Sequence, residues 1–333
     1  MRPLLSTLCA GALLSGGVLV GGCLVGDNLA EASETTAVRA RSIDLQADRP
    51  ERVAVGRLRY EAGFVLTSSD DRFGGLSGLW IAPDGERLIA VSDRACFWSA
   101  TPQHAADGRL TGLADWSVDE ARAGLSDPER RDDHDAEALA GDGDGGLVVA
   151  FEGWHRLRRF ALDDLNAPPI PRATPAQLGE PHNSGIEALA RLPDGALLAL
   201  AEGVETPNGD LAGWRIEGER IADLSYRTVA GFVPTGADRL DDALYVVERR
   251  LSLFDGGFAT RLVTLPTAAV QPEAQLDGQE LARLGRPMIS DNFEGIAVRR
   301  GPDGRVLIYL ISDDNFTALQ RTLLLQFSLV PES

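Results

Sequence analysis

The chain has 333 residues, 44% of them hydrophobic, which is enough to bury a full core in one large domain or two small ones. Its formal charge is −18, from 50 Asp and Glu against 32 Lys and Arg. That balance excludes a nucleic-acid binder, which needs a basic face, and disfavours a bare anionic substrate unless a cation intervenes.

The N-terminus, "MRPLLSTLCAGALLSGGVLVGGCLVGDNLAEAS", places one Arg before a long run of apolar and small residues. This is a secretory signal pattern. Two processing sites compete within it. Val20-Gly21-Gly22-Cys23 resembles a bacterial lipobox with Cys23 as the lipidated residue, whereas Ala30-Glu31-Ala32 fits ordinary cleavage. On either reading residues 1–32 are a signal and the mature protein is exported, to the periplasm or the cell envelope. A lipid on Cys23 is its one expected contact with a membrane. Residues 33–50 are polar and poor in aromatics and read as a linker, leaving 51–333 as a single domain. Cys96, in the apolar "RACFWSA", is expected to be packed core, so no disulfide framework or Cys-based metal site is available.

Five similar segments follow. They are "GGLSGLWIAPDGERLIAVSDR" from Gly74, "DAEALAGDGDGGLVVAFEG" from Asp135, "SGIEALARLPDGALLALAEG" from Ser184, "FVPTGADRLDDALYVVERR" from Phe232 and "NFEGIAVRRGPDGRVLIYLISDDN" from Asn292. Each has a small or acidic residue, an apolar strand, an Asp-rich turn, a second apolar strand and then an acid. Two apolar runs around Asp-Gly read as a β-hairpin. A recurring unit of this kind is the signature of a β-propeller blade. The N-terminal "RVAVGRLRYEAGFVL" and C-terminal "RTLLLQFSLV" lack hairpins of their own and are expected to combine in closing the ring. That suggests an all-β propeller of six blades, with five or seven also compatible. Helical periodicity is scarce. "EAQLDGQELARLG", within 273–285, is expected to be a short helix or a loop insertion.

Counting outward from each Asp-Gly turn brings acids together. Glu137 falls opposite Glu152, Glu187 opposite Glu202, and Glu294 opposite Asp313. In the first hairpin Ser77 faces Ser92, with Asp93 next; in the fourth Thr235 faces Glu248. Like charges directly across a hairpin destabilise it. The first strand of a blade lines the central channel, so all these acids land on one rim. Such a rim binds a metal, holds several carboxyls protonated, or is paired by arginines such as Arg94, Arg156, Arg249 and Arg250. Carboxylate oxygens suit a hard cation such as Ca²⁺. Zn²⁺ fits less well, because there are four His and none shows paired ligand spacing.

"NFEGIAV", "LIYLISDDNF" and "QRTLLLQFSL" resemble the closing segment of the phytase-like family, also described as esterase-like proteins of the phytase family. The hairpins from Gly74 and Ser184 look like its inner blades. The resemblance implies a propeller, export, and activity on ester or phosphoester bonds. It also implies Ca²⁺ ions held over the channel, for which Glu137, Glu187, Glu202, Glu294 and Asp313 are the matching positions. The dense Lys/Arg/Tyr phosphate-binding set of a true phytase is not seen, which puts inositol hexakisphosphate in doubt.

No G-x-S-x-G elbow, P-loop or dinucleotide motif occurs. His134 and His182 precede the second and third hairpins and are placed to put an imidazole near the rim. Glu187, Glu294 and His182 are therefore the candidate catalytic groups. The five Trp are expected to anchor blade packing, with Trp154 also close enough to Glu152 to wall a pocket. Two functions remain: a Ca²⁺-dependent hydrolase of a small phosphoester or related ester, and a non-catalytic envelope propeller that binds a ligand or protein. A lactonase-like propeller is a narrower variant. A monomer is expected.

Overall fold

Asp-Gly turns set the architecture. In a computed structural model, which describes residues 34–121, 134–179, 184–252 and 256–331, Gly85, Gly145, Gly195 and Gly304 hold φ between 77° and 88°. An L side chain is strained there, so glycine is the natural occupant. The Asp before the turn glycine accepts a backbone N–H two residues on, as Asp84 does from Glu86 and Asp194 from Ala196. Either side of each turn, apolar β-prone residues continue as strands. The signal segment, with Cys23 and Ala32, and His182 lie outside the described residues.

The hairpins start five antiparallel sheets arranged as blades. Their inner strands are Leu76–Ile81, Ala136–Gly141, Ile186–Arg191, Val233–Leu240 and Asn292–Arg300. Each inner strand packs against those of the two flanking blades, and the last contacts the first. Five hydrophobic clusters fill the five gaps between adjacent sheets. The ring therefore has five blades, not the six expected from counting the terminal strands separately. Leu323–Leu329 pairs with Val306–Asp313 and so belongs to the fifth hairpin's own sheet. Leu58–Ser68 and then Val38–Ser42 extend that same sheet. A two-stranded hairpin is too small for a blade, and the chain termini complete it instead of forming another.

Two local expectations are corrected. The polar stretch 33–50, read as a linker, contributes outer strands: Glu34–Thr35 to the first blade and Val38–Ser42 to the fifth. An outermost strand with one solvated face is polar, so composition alone does not separate it from a linker. The segment 273–285 is neither helix nor loop. Gln275–Asp277 runs parallel to the edge of the third blade, and Gln279–Leu284 is the outer strand of the fourth. Cys96 is buried core as expected.

A bulge recurs at the same place in all five inner strands. The register shifts between Leu76 and Gly78, Ala136 and Ala138, Ile186 and Ala188, Pro234 and Gly236, and Phe293 and Gly295. The extra residues are Ser77, Glu137, Glu187, Thr235 and Glu294. A bulge re-aims its side chain and increases local twist. The residue after each bulge is Gly or Ala because the next inner strand passes close by. A Cβ on Gly236 would lie 2.1 Å from the Glu294 carbonyl oxygen, and one on Gly78 2.6 Å from the Leu139 Cβ.

Candidate functional site: an acidic channel mouth

The bulges overturn the expected cross-strand pairs but preserve their gathering. Glu187 does not face Glu202: Ile186 pairs with Ala201, and the Glu202 N–H donates to the Gly185 carbonyl. Likewise Phe293 pairs with Ser312 and Asn292 with Asp313. The bulge residues form one tier of the channel mouth. A second tier comes from the end of each second strand: Asp93, Glu152, Glu202, Arg249 and Asp313. In the fourth blade the shifted register makes Arg249, not Glu248, the rim residue, since Val233 pairs with Arg249. Glu248 turns into the protein, where Tyr226 Oη and Arg261 Nη1 donate to its carboxylate at 2.8 and 2.7 Å.

The mouth is a cavity of about 340 Å³ lined by eight carboxylates and one guanidinium. Glu137, Glu187, Glu202, Glu294 and Asp313 all line it, as do Asp93, Asp135, Glu152 and Asn315. Asp135 and Asn315 were hidden in loop ends, where no strand pattern marks them. Below the mouth the channel closes. Leu79, Leu139, Leu189 and Ile296 fill it and leave a void of about 10 Å³, room for no more than one water.

Charge is distributed unevenly around this wall. Arg249 Nη2 donates to Glu202 Oε2 at 2.8 Å, and Nη1 lies 3.1 Å from Glu294 Oε1. Asn292 bridges the same side: its Oδ1 accepts from Arg249 at 2.6 Å, and its Nδ2 donates to Glu294 at 2.8 Å and Asp313 at 3.2 Å. On the opposite side Glu137, Glu152 and Glu187 each bring a carboxylate oxygen within 4.8 Å of the others. Glu152 Oε1 and Asp93 Oδ1 are buried with no hydrogen-bond partner. The other arginines considered for neutralisation stack on aromatic rings, Arg94 over Phe316, Arg156 over Phe151 and Arg250 over Phe232, and of these the Arg94 charge still acts on Asp93. Trp154 is half exposed and anchors no blade, unlike the fully buried Trp98 and Trp214.

Burial and mutual repulsion raise the proton affinity of these acids. Burial, then Glu187 and Asp135, pushes Glu137 well up. Glu187 is raised by burial, then by Glu202 and Glu152. Asp93 rises to about 8 through burial and the charges of Asp313 and Asp135. Glu294 also rises to about 8, from burial and Asp313, against the pull of Arg249. Glu152 rises to about 7 and Asp313 to about 6, both chiefly by burial. His134 is buried beside this wall, and neither ring nitrogen has a hydrogen-bond partner.

The donor set fits a hard divalent cation. Three oxygens within 4.8 Å of one another can all sit at the 2.3–2.6 Å distance typical of Ca²⁺. Among the described residues no thiol and no His pair joins them, so this set does not suit a tetrahedral Zn²⁺ site.

Fold and mouth together define a five-bladed propeller with a carboxylate-walled, plugged channel. The chain belongs to the phytase-like family, described as esterase-like activity of phytase, whose family model matches residues 71–316. No curated protein matches the chain. Among solved structures it is similar to the PQQ-bound aldose sugar dehydrogenase of Streptomyces coelicolor, at 13% identity and TM-score 0.43, over 89% of this chain and 99% of that one. It is similar to an endo-arabinase of Bacteroides thetaiotaomicron at 14% identity and TM-score 0.46, over 79% and 96%. At that distance neither likeness assigns this chain an activity.

Proposed function

We propose that the channel mouth is the active site of a divalent-cation-dependent hydrolase, acting on phosphoester or related ester bonds of a small molecule. The observation that carries this reading is the trio Glu137, Glu152 and Glu187, which makes no close ion pair among the described residues and feels Arg249 only as a charge on Glu187. Buried carboxylates at such close range are costly unless protonated or bound to a cation. The trio would hold Ca²⁺, with Glu202 and Asp313 at the margin of the site. A bound cation supplies Lewis acidity toward a phosphoryl or acyl oxygen and offsets the charge of an anionic substrate. Glu294 is the group that moves a proton: Arg249 and Asn292 fix its carboxylate, and its raised proton affinity suits exchange near neutral pH. The apolar plug beneath keeps the mouth a blind pocket, so substrate and product use one opening.

The test is hydrolysis of p-nitrophenyl phosphate and p-nitrophenyl acetate with Ca²⁺ and with a chelator. Turnover of either that needs Ca²⁺ and is lost in Glu187→Gln supports the reading; no turnover and no Ca²⁺ heat in calorimetry overturns it. In that event the mouth is a non-catalytic binding surface, a reading favoured by Arg249, which already neutralises one side. We also propose export through residues 1–32, with Cys23 lipidated. Cys23→Ala should then move the protein from the membrane fraction to the soluble one, and an unchanged fractionation would favour cleavage after Ala32.

A further inference from the structure

The opposite mouth of the channel has the reverse charge. All five inner strands end there, and the cavity they frame has a volume of about 480 Å³. Arg191, Arg239, Arg299 and Arg300 line it, in a protein whose net charge is −18. Among the described residues only Arg300 has a carboxylate ion pair, with Asp241. Arg239 donates to two backbone carbonyls, those of Arg191 and Asp241. Asp238, beside it, is already engaged by the backbone N–H groups of Val298 and Arg239. Arg299 is 95% buried by its 5% exposure, yet its partners are the Tyr309 hydroxyl, the Arg300 carbonyl and His104 Nε2. His104 is held well below the usual imidazole range, at about 4, by burial and by Arg299, so this partner is neutral. Among the described residues Arg191 has no side-chain hydrogen-bond partner, and it packs on Gly143, where a Cβ would lie 2.8 Å from its Cζ.

A buried guanidinium with neutral partners keeps its desolvation cost without a Coulombic return. Arg299 is in that position, and the half-buried Arg191 and Arg239 bring two more guanidinium groups to the same cavity, a grouping best explained by an anion that completes it. Asp238 and Asp241 share this wall, so the four guanidinium groups outnumber the carboxylates two to one, and the rest of it, including Trp80, Leu240 and Val298, is apolar. A cavity of this size with an apolar wall and a few convergent charges has the make-up of a small-molecule site. We propose that this second mouth binds a small organic anion, its phosphoryl or carboxylate head among Arg191, Arg239 and Arg299 and its apolar body against Trp80. Planar guanidinium groups match both heads by paired N–H donation. The site is separated from the acidic mouth by the leucine plug and does not depend on the hydrolase reading.

Calorimetry of the full chain with phenylphosphonate, benzoate and neutral benzyl alcohol tests this, in a chelator so that no rim-bound cation contributes. Saturable binding of either anion is expected, with benzyl alcohol silent. Stronger binding of phenylphosphonate assigns a phosphoryl head, and stronger binding of benzoate a carboxylate. Arg191→Gln should weaken binding at least about tenfold, the loss of one charge-assisted contact. Arg191 has no side-chain partner among the described residues, so the variant should melt like the wild type, and Arg191→Lys should recover part of the affinity. Glu187→Gln should bind as the wild type does. Absence of saturable binding up to about 10 mM, equal binding by benzyl alcohol, or wild-type affinity in Arg191→Gln would each overturn the proposal.

Discussion

Two sides of the acidic mouth solve the same electrostatic problem differently. On the side of the fourth and fifth blades, Arg249 and Asn292 are shared by Glu294 and Asp313 and by Glu202, which reaches across from the third blade. On the inner strands and second-strand end of the second and third blades, Glu137, Glu152 and Glu187 crowd together with no close ion pair among the described residues, Arg249 reaching Glu187 only as a more distant charge. The backbone device is the same on both sides, a bulge at the same position of each inner strand. What differs is one residue at the end of the fourth blade's second strand, where an arginine stands in place of an acid. The paired side is built for a fixed geometry. The unpaired side holds charge in reserve for something positive from outside.

Removing the internal cation should have the largest effect. Arg249→Met leaves the buried Glu294 and the half-buried Glu202 without their partner, and breaking a buried pair costs roughly 3–5 kcal/mol. Urea unfolding at neutral pH measures it. Millimolar Ca²⁺ should recover part of the loss, because the variant makes both sides of the mouth alike. A loss below about 1 kcal/mol would show that the pair is solvated and that the two sides do not differ.

The external cation comes next. If the unpaired side binds Ca²⁺ and the unfolded chain does not, stability rises by about 2.7 kcal/mol at a hundredfold excess over Kd. Thermal melting with Ca²⁺ and with chelator should differ accordingly, and Glu187→Gln should shrink that difference. Glu248→Gln should leave it unchanged, since Glu248 faces Arg261 and Tyr226 rather than the channel. An equal response in both variants would remove the distinction between the two sides.

The sequence made part of this legible. Asp-Gly turns and repeated apolar pairs disclose the blades, and counting from the turns brings Glu137, Glu187, Glu202, Glu294 and Asp313 to one rim. The bulges are invisible in that count, because an extra residue in a strand changes neither composition nor the spacing of the apolar runs. Glu248 was therefore placed where Arg249 stands. The closing blade was also miscounted. Strand 58–68 does pair with 323–329 from the other end of the chain, as expected of the terminal segments, but the two join the fifth hairpin's own sheet, with 38–42 added outside 58–68, and local pattern does not tell that sheet from a sixth one. The one small signal of the bulge was the Gly or Ala after each channel residue, a position that must stay small.

Gly236→Ala tests that packing without altering a charge. Its Cβ would lie 2.1 Å from the Glu294 carbonyl, which belongs to the neighbouring blade's bulge. Overpacking of this kind costs about 2 kcal/mol. It also displaces Glu294 from Arg249, so Gly236→Ala should weaken the catalytic response proposed for Glu294 while the trio still binds Ca²⁺. Wild-type stability would mean the bulges are not tightly interlocked.

Asp93 gives the effect whose sign is most informative. Its Oδ1 has no hydrogen-bond partner, and burial with the charges of Asp313 and Asp135 raises its proton affinity to about 8 against the opposing charge of Arg94. In the unfolded chain an Asp titrates near pH 3.9. Between those two values the folded protein holds a proton that the unfolded chain has released. Stability therefore falls as pH rises through this window, by at most about 1.4 kcal/mol per pH unit for one proton. Above pH 8 both states are ionised and the loss levels off. Asp93→Asn carries no such proton. Compared in chelator, the variant and the wild type should unfold alike near pH 4, and the variant should become the more stable one as pH approaches 8. With Ca²⁺ present the wild type should lose less over the same range, because a cation in the mouth favours the ionised form. A pH-independent difference between the two proteins would show that Asp93 is already ionised and compensated at neutral pH. The uncompensated side of the mouth would then end at Glu152.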